Sequence, residues 1–222
     1  MGTDETIALI GAGTLGQITA AALARWSPPR HLIIAAKHDH QRSAVRAVSA
    51  PEQGLVCCSP DSLLREVRRQ VRTGVIDPAG AHERLTQGVD ATIDCVGSAD
   101  SLASALAITR PGGRIVLVGM PSLALIDLTP LWQREITLIG AYTYGVETLQ
   151  GQRYRTFDLA AELVAAAGLG SMVSATYPLE RHVDALDHAA EAGRRGATKV
   201  VFTLGSDRTP DHPAPRTMRA RR

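Results

Sequence analysis

The run Gly11-Ala12-Gly13-Thr14-Leu15-Gly16 leaves this chain few folds to choose from. The short apolar stretch Thr6–Ile10 stops at Gly11 and reads as a buried parallel strand. Thr14 to Trp26 reads as a helix that stops before Ser27-Pro28-Pro29. A G-x-G-x-x-G pattern is weak alone and specific when a strand precedes it and a helix follows. Gly11 permits the tight turn, Gly13 lets a pyrophosphate approach with no Cβ in the way, and Gly16 lets the helix pack closely on the sheet. Backbone N–H groups at the helix start, with the positive end of its dipole, then hold phosphate. The turn therefore points to a dinucleotide, with Thr14 and Leu15 opening the helix beside the three glycines.

Strand and helix signals go on alternating. Strands are expected at His31–Ala36, Gly54–Cys57, Asp90–Asp94, Arg114–Val118 and Glu135–Ala141. Helices are expected at His40–Val48, Asp61–Val71 and Ala99–Thr109, and loop or a short irregular helix over Thr73–Gly88. This alternation predicts an α/β fold, a doubly wound Rossmann-type parallel sheet with helices on both faces. After Gly145 the pattern changes to a helix at Phe157–Ala167, a strand at Met172–Tyr177, a helix at Leu179–Ala192 and a strand at Lys199–Leu204. The tail from Ser206 holds prolines and arginines with almost nothing apolar and is expected to be disordered.

In dinucleotide-binding sheets an acidic residue usually ends the second strand and binds the adenosine ribose hydroxyls. Here that position holds alanine, followed by Lys37, His38 and Arg42, with Asp39 among them. Loss of a carboxylate removes repulsion against a 2′-phosphate, and added cations supply partners for it. NADP is therefore expected over NAD.

A net charge of +2 gives no sign of a nucleic-acid or membrane-surface protein. The uncharged stretch Ile7–Ala24 follows acidic Asp4 and Glu5 and is rich in Gly, Thr and Gln, so it is not read as a signal or membrane segment. The three cysteines cannot make a disulfide framework and suit a reducing cytoplasm. Adjacent Cys57 and Cys58 face opposite ways in a strand, and the histidines show no metal-ligand spacing. No metal ligand and no catalytic residue is assigned.

Further segments follow in order: Asp90-Ala-Thr-Ile-Asp94-Cys95-Val96-Gly97, then Arg110-Pro111-Gly112-Gly113-Arg114 running to Val118-Gly119-Met120-Pro121, then Arg134-Glu135 to Ala141-Tyr142, and finally Tyr177-Pro178-Leu179-Glu180 with Lys199-Val200-Val201-Phe202. Over roughly residues 5–205 the chain resembles the zinc-dependent alcohol dehydrogenases of the medium-chain dehydrogenase/reductase family. The resemblance implies that Cys95, Val96 and Gly97 line the cofactor cleft and that Val118, Gly119 and Met120 meet the nicotinamide end. It implies that the backbone at Ala141 and Thr143 faces the carboxamide and that Lys199 reaches the pyrophosphate. A lone thiol such as Cys95 is also an ordinary packing residue.

The resemblance also implies hydride transfer between an alcohol or polyol and the nicotinamide. In that family a separate domain carries the catalytic zinc, so zinc is expected only there and this chain alone is expected to be inactive. The domains expected are 1–150 for the dinucleotide, 151–205 as a remnant packing on the missing catalytic domain, and 206–222 as the basic tail. A homodimer through the strand at 135–141 is expected, because an apolar edge strand invites its own copy. The alternative is a dinucleotide-binding module without catalysis. A short-chain dehydrogenase is excluded, since the positions four residues before Lys37 and Lys199 hold Ile33 and Arg195 rather than tyrosine. A methyltransferase explains neither the Arg110–Pro121 segment nor the closing one.

Overall fold

Alternation of apolar residues along the first two strands decides the architecture. Residues 4–49, 54–80 and 82–204 are described in a computed structural model. In β1 (Thr6–Ile10), Ile7 and Leu9 face one core while Ala8 and Ile10 face another. In β2 (His31–Ala35), Leu32 and Ile34 join the first core, and Ile33 and Ala35 the second. A strand with apolar side chains on both sides has to be covered on both sides. Helix α1 (Thr14–Trp26) supplies Ala20 and Leu23 to the first core, and α2 (Asp39–Val48) adds Val45. Helices α3 (Leu63–Val71) and α4 (Ala99–Ile108) cover the other face with Leu63, Val67, Leu102, Ala105 and Leu106.

Strand β3 is Gly54–Cys58, β6 is Val89–Asp94, β7 is Thr109–Leu117 and β8 is Thr137–Gly140. The six-stranded sheet runs β3-β2-β1-β6-β7-β8, parallel throughout. Strand order reverses between β1 and β6, and ligands of open α/β sheets bind beyond the carboxyl ends of strands at such a point.

The expected loop or irregular helix at Thr73–Gly88 is instead a small antiparallel hairpin, β4 (Val75–Ile76) with β5 (Arg84–Leu85). Side chains tie its base: Thr73 and Thr86 hydroxyls lie 2.8 Å apart, and the Gly74 N–H donates to Thr86 Oγ1 at 3.1 Å. A helix α5 (Thr129–Gln133) and a hairpin of β9 (Val146–Leu149) and β10 (Gln152–Arg155) were not foreseen. Strand β8 is shorter than Glu135–Ala141: Glu135 takes a left-handed φ of 53°, and the Ile136 N–H donates back to the Leu131 carbonyl. Two other helices begin as separate single 3₁₀ turns, at Pro60–Ser62 and Leu179–Arg181.

The described chain divides between Gly170 and Ser171 into two compact units. Helix α6 (Thr156–Ala166) counts with the first, where Glu162 pairs with Arg25 of α1 at 2.6 Å. In the second unit β11 (Val173–Pro178) and β12 (Lys199–Thr203) pair in parallel. Helix α7 (His182–Ala190) connects them; its His188 Nδ1 lies 2.9 Å from the Tyr177 hydroxyl. The tail 206–222 lies outside the described residues. No described helix is long and apolar enough to cross a membrane.

Candidate cofactor cleft

A cleft of about 640 Å³ opens at the carboxyl ends of β1, β2, β3 and β6. Its floor is the glycine turn. Gly11 has φ of 92°, a conformation that an L side chain rarely adopts, and its N–H donates to the Ala35 carbonyl at 2.9 Å. A Cβ on Gly16 would lie 1.9 Å from the Gly11 carbonyl oxygen, so the helix start rests directly on the turn. A Cβ on Gly13 would meet nothing within 4 Å. That vacant space lies over a residue lining the cleft, at a helix start with no side-chain cap and no acidic residue in its first turn. A phosphate group would occupy it, drawn by the helix dipole. The residues present therefore fit a dinucleotide.

At the end of β2, Lys37 and His38 line the cleft and Arg42 does not. Arg42 is latched: one guanidinium nitrogen donates to the Ala36 carbonyl at 2.6 Å and another pairs with Asp39. The His38 N–H donates to Gln41 Oε1 at 3.3 Å, and the His38 and His40 rings stack 5.4 Å apart. Burial and then the neighbouring His38 push the His40 pKa down.

The opposite wall begins at Asp94, which is fully buried. Its Oδ1 accepts the N–H of Val96 at 2.9 Å and of Gly97 at 3.1 Å, and its Oδ2 accepts the Ser101 hydroxyl at 2.8 Å. Ser98 caps α4, with its Oγ accepting the Ser101 N–H at 3.1 Å. Cys95 and Val96 line the cleft. The Cys95 thiol lies 3.7 Å from Thr19 Oγ1, and burial pushes its pKa up to about 11, so it packs as a neutral side chain.

Gly97 and Gly119 face each other. A Cβ on Gly97 would lie 2.8 Å from the Gly119 carbonyl, and one on Gly119 would lie 2.4 Å from the Val96 carbonyl carbon. Val118 is half-buried and Met120 is exposed. Ala141 and Thr143 are exposed; the Ala141 N–H donates to the Leu117 carbonyl at 2.9 Å. Thr14, Leu15 and Gly16 open α1 just past the cleft floor. Lys199 is exposed and belongs to the second compact unit.

Sequence reasoning missed Gln41, Ser59, Asp61, Asp100 and Ser101 on the cleft wall. The signal for Ser98 and Ser101 was present, because Ser-x-x-Ser after a strand end reads as a helix cap. Among the described residues no three His, Cys, Asp or Glu side chains gather where they could hold a metal ion. Cys57 packs with one core and Cys58 with the other.

The family model described as "Zinc-binding dehydrogenase" matches residues 70–166. Sorbitol dehydrogenase of Arabidopsis thaliana is 27% identical over 208 residues, 92% of this chain and 51% of that protein. Among solved structures, L-idonate 5-dehydrogenase from Escherichia coli superposes with a TM-score of 0.63 at 20% identity, over 90% of this chain and 50% of that one. A Sinorhizobium meliloti 1021 protein described as a zinc-binding dehydrogenase bound to NADP gives 0.62 at 21%, over 91% and 53%. The chain spans about half the length of the curated relatives first matched.

Proposed function

We propose that this chain is a member of the zinc-type alcohol dehydrogenases of the medium-chain dehydrogenase/reductase family, which it resembles over most of its length, and that its cleft holds NADP. We further propose that it is the cofactor-binding portion of an enzyme moving hydride between an alcohol or polyol and that cofactor. The carrying observation is the open space over Gly13, in a cleft that Lys37 and His38 also line. When bound, the cofactor supplies a nicotinamide that accepts or donates hydride. The chain's own part is binding and orientation: the α1 start takes the pyrophosphate, Lys37 the 2′-phosphate, and the walls at 95–97 and 118–120 guide the rest. With Asp39 engaging Arg42, Lys37 is the cation that matters most. The zinc of this family does not fit the described residues, since no three of their His, Cys, Asp or Glu side chains gather to hold it. The remaining ligand wall and the metal belong, in this reading, to a catalytic domain on which residues 151–205 pack. The 222-residue chain is then without alcohol oxidation of its own, and alcohol-dependent NADP reduction by it would overturn this.

The test is calorimetric titration with NADPH and NADH. The wild-type chain is expected to bind NADPH more tightly. Lys37→Ala removes one charge-assisted contact, worth about 1.5–3 kcal/mol, or roughly 10- to 150-fold in NADPH affinity. It leaves NADH nearly unchanged. Gly13→Ala fills the open space, so it is expected to keep the fold and lose both cofactors. Equal affinity of the wild type for the two nucleotides, or tighter NADH, sinks the NADP assignment.

We also propose a homodimer through β8. It is the last strand of the sheet, all four of its residues are exposed, and Leu138 and Ile139 are 39% and 47% exposed. Sedimentation at tens of micromolar, on the order usual for such assays, is expected to give a dimer. Ile139→Lys, a charge on the edge, is expected to shift it to monomer. A wild-type monomer counts against the proposal.

A further inference from the structure

Asp94 is a fully buried carboxylate at the switch point of the sheet. A buried carboxylate is costly unless hydrogen bonds compensate it. Here all its bonds go to the cleft wall: two backbone N–H groups of the turn after β6, and the hydroxyl of Ser101 at the start of α4. The same residue acts a second time through its main chain. Its carbonyl accepts the N–H of both Val118 and Gly119 at 2.9 Å each. One residue thus grips two turns from different strands, and the turns meet where Gly97 and Gly119 leave no room for a Cβ.

We propose that Asp94 is a positioning residue for cofactor binding: it holds the 95–97 turn through its side chain and the 118–119 turn through its carbonyl, so that the cleft wall at Cys95 and Val96 is already formed before the ligand arrives. Preorganised walls bind more tightly because less ordering is left to do on binding. The role rests on the dinucleotide reading above. Asparagine can still accept both turn N–H groups through its amide oxygen, while Ser101 turns its hydroxyl to the Ser98 carbonyl, 3.0 Å away. A leucine side chain of similar size accepts nothing, while the main-chain carbonyl at 94 still accepts from Val118 and Gly119.

The experiment compares wild type, Asp94→Asn and Asp94→Leu at a temperature where circular dichroism shows each folded. A residue that contributes only stability leaves the NADPH dissociation constant of the folded protein unchanged. Asp94→Leu is expected to weaken NADPH at least about tenfold and Asp94→Asn by less than about threefold. An unchanged constant for Asp94→Leu, or an equal loss for Asp94→Asn, overturns the proposal. If Asp94→Leu does not fold, hydrogen exchange on the ligand-free wild type decides. Val96 and Gly97 amides are expected to be protected, and fast exchange there overturns preorganisation. A wild type that binds no NADPH removes the cofactor reading, and with it this role. That failure is distinguishable because it precedes any effect of the variants.

Discussion

Replacing Gly16 by alanine is expected to cost about 3 kcal/mol of stability, although alanine is the better helix former by about 1 kcal/mol. The two effects oppose, and geometry says which wins. The new methyl would lie 1.9 Å from the Gly11 carbonyl oxygen and 2.8 Å from its carbon, both backbone atoms of a turn that cannot rotate away. Helix α1 must then lift off the turn by roughly 1 Å, breaking the packing that sets its first N–H groups against the cleft. For a chain of this size the loss corresponds to a fall in melting temperature of roughly 6–12 °C, with cofactor-induced stabilisation gone. Gly13→Ala is the control, three residues away and facing open space. It is expected to melt within about 2 °C of wild type or slightly above it, because alanine narrows the unfolded ensemble. Thermal and urea melts of the pair check both. A Gly16→Ala chain as stable as wild type would mean that the helix does not rest on the turn.

Arg134→Met is expected to destabilise the chain by a similar amount, about 3 kcal/mol, for an unrelated reason. Arg134 is 7% exposed, and no carboxylate among the described residues pairs with it. Its guanidinium instead donates to the carbonyls of Leu106 at 3.1 Å, Ala107 at 3.5 Å and Gln87 at 3.4 Å. Leu106 and Ala107 lie in the last turn of α4, where carbonyls lack helical partners and the dipole is negative. Burial, and then the nearby Arg84, hold its pKa below the usual arginine value. Methionine keeps the aliphatic stem and removes the donors, so the measured loss reports the carbonyl contacts rather than packing. Lysine is expected to recover only part, since one ammonium cannot reproduce a planar fork spread over three acceptors. Urea unfolding of Arg134→Met and Arg134→Lys, read at unchanged m-value, is the measurement. A cost under about 1 kcal/mol for methionine would show that water replaces the guanidinium there.

The strands of the sheet could be read from the sequence because their signal is local. Thr6–Ile10 and Thr14–Trp26 have the expected bounds, since a run of apolar residues with glycine at its end and a helix halted by Pro28 carry their own limits. The Thr73–Gly88 hairpin could not be read that way. Its strands have two residues each, too short for any period, and threonine side chains hold it. The cation reading after β2 was half local. Lys37 and Arg42 can be counted in the sequence, but the pairing of Arg42 with Asp39 and the Ala36 carbonyl separates the two in the structure.

By itself the sequence determined the alternation that winds a parallel sheet, the glycine turn after its first strand, and the resemblance to a dehydrogenase family, because each is written in neighbouring residues. Only the tertiary structure decided that Gly13 is open while Gly16 is closed, although both are glycines of one motif. It also decided that Asp94 joins two turns that lie 23 residues or so apart along the chain. Those outcomes depend on which backbone a residue faces across the sheet. That is fixed by register between strands brought together from distant parts of the chain, and no local pattern encodes it.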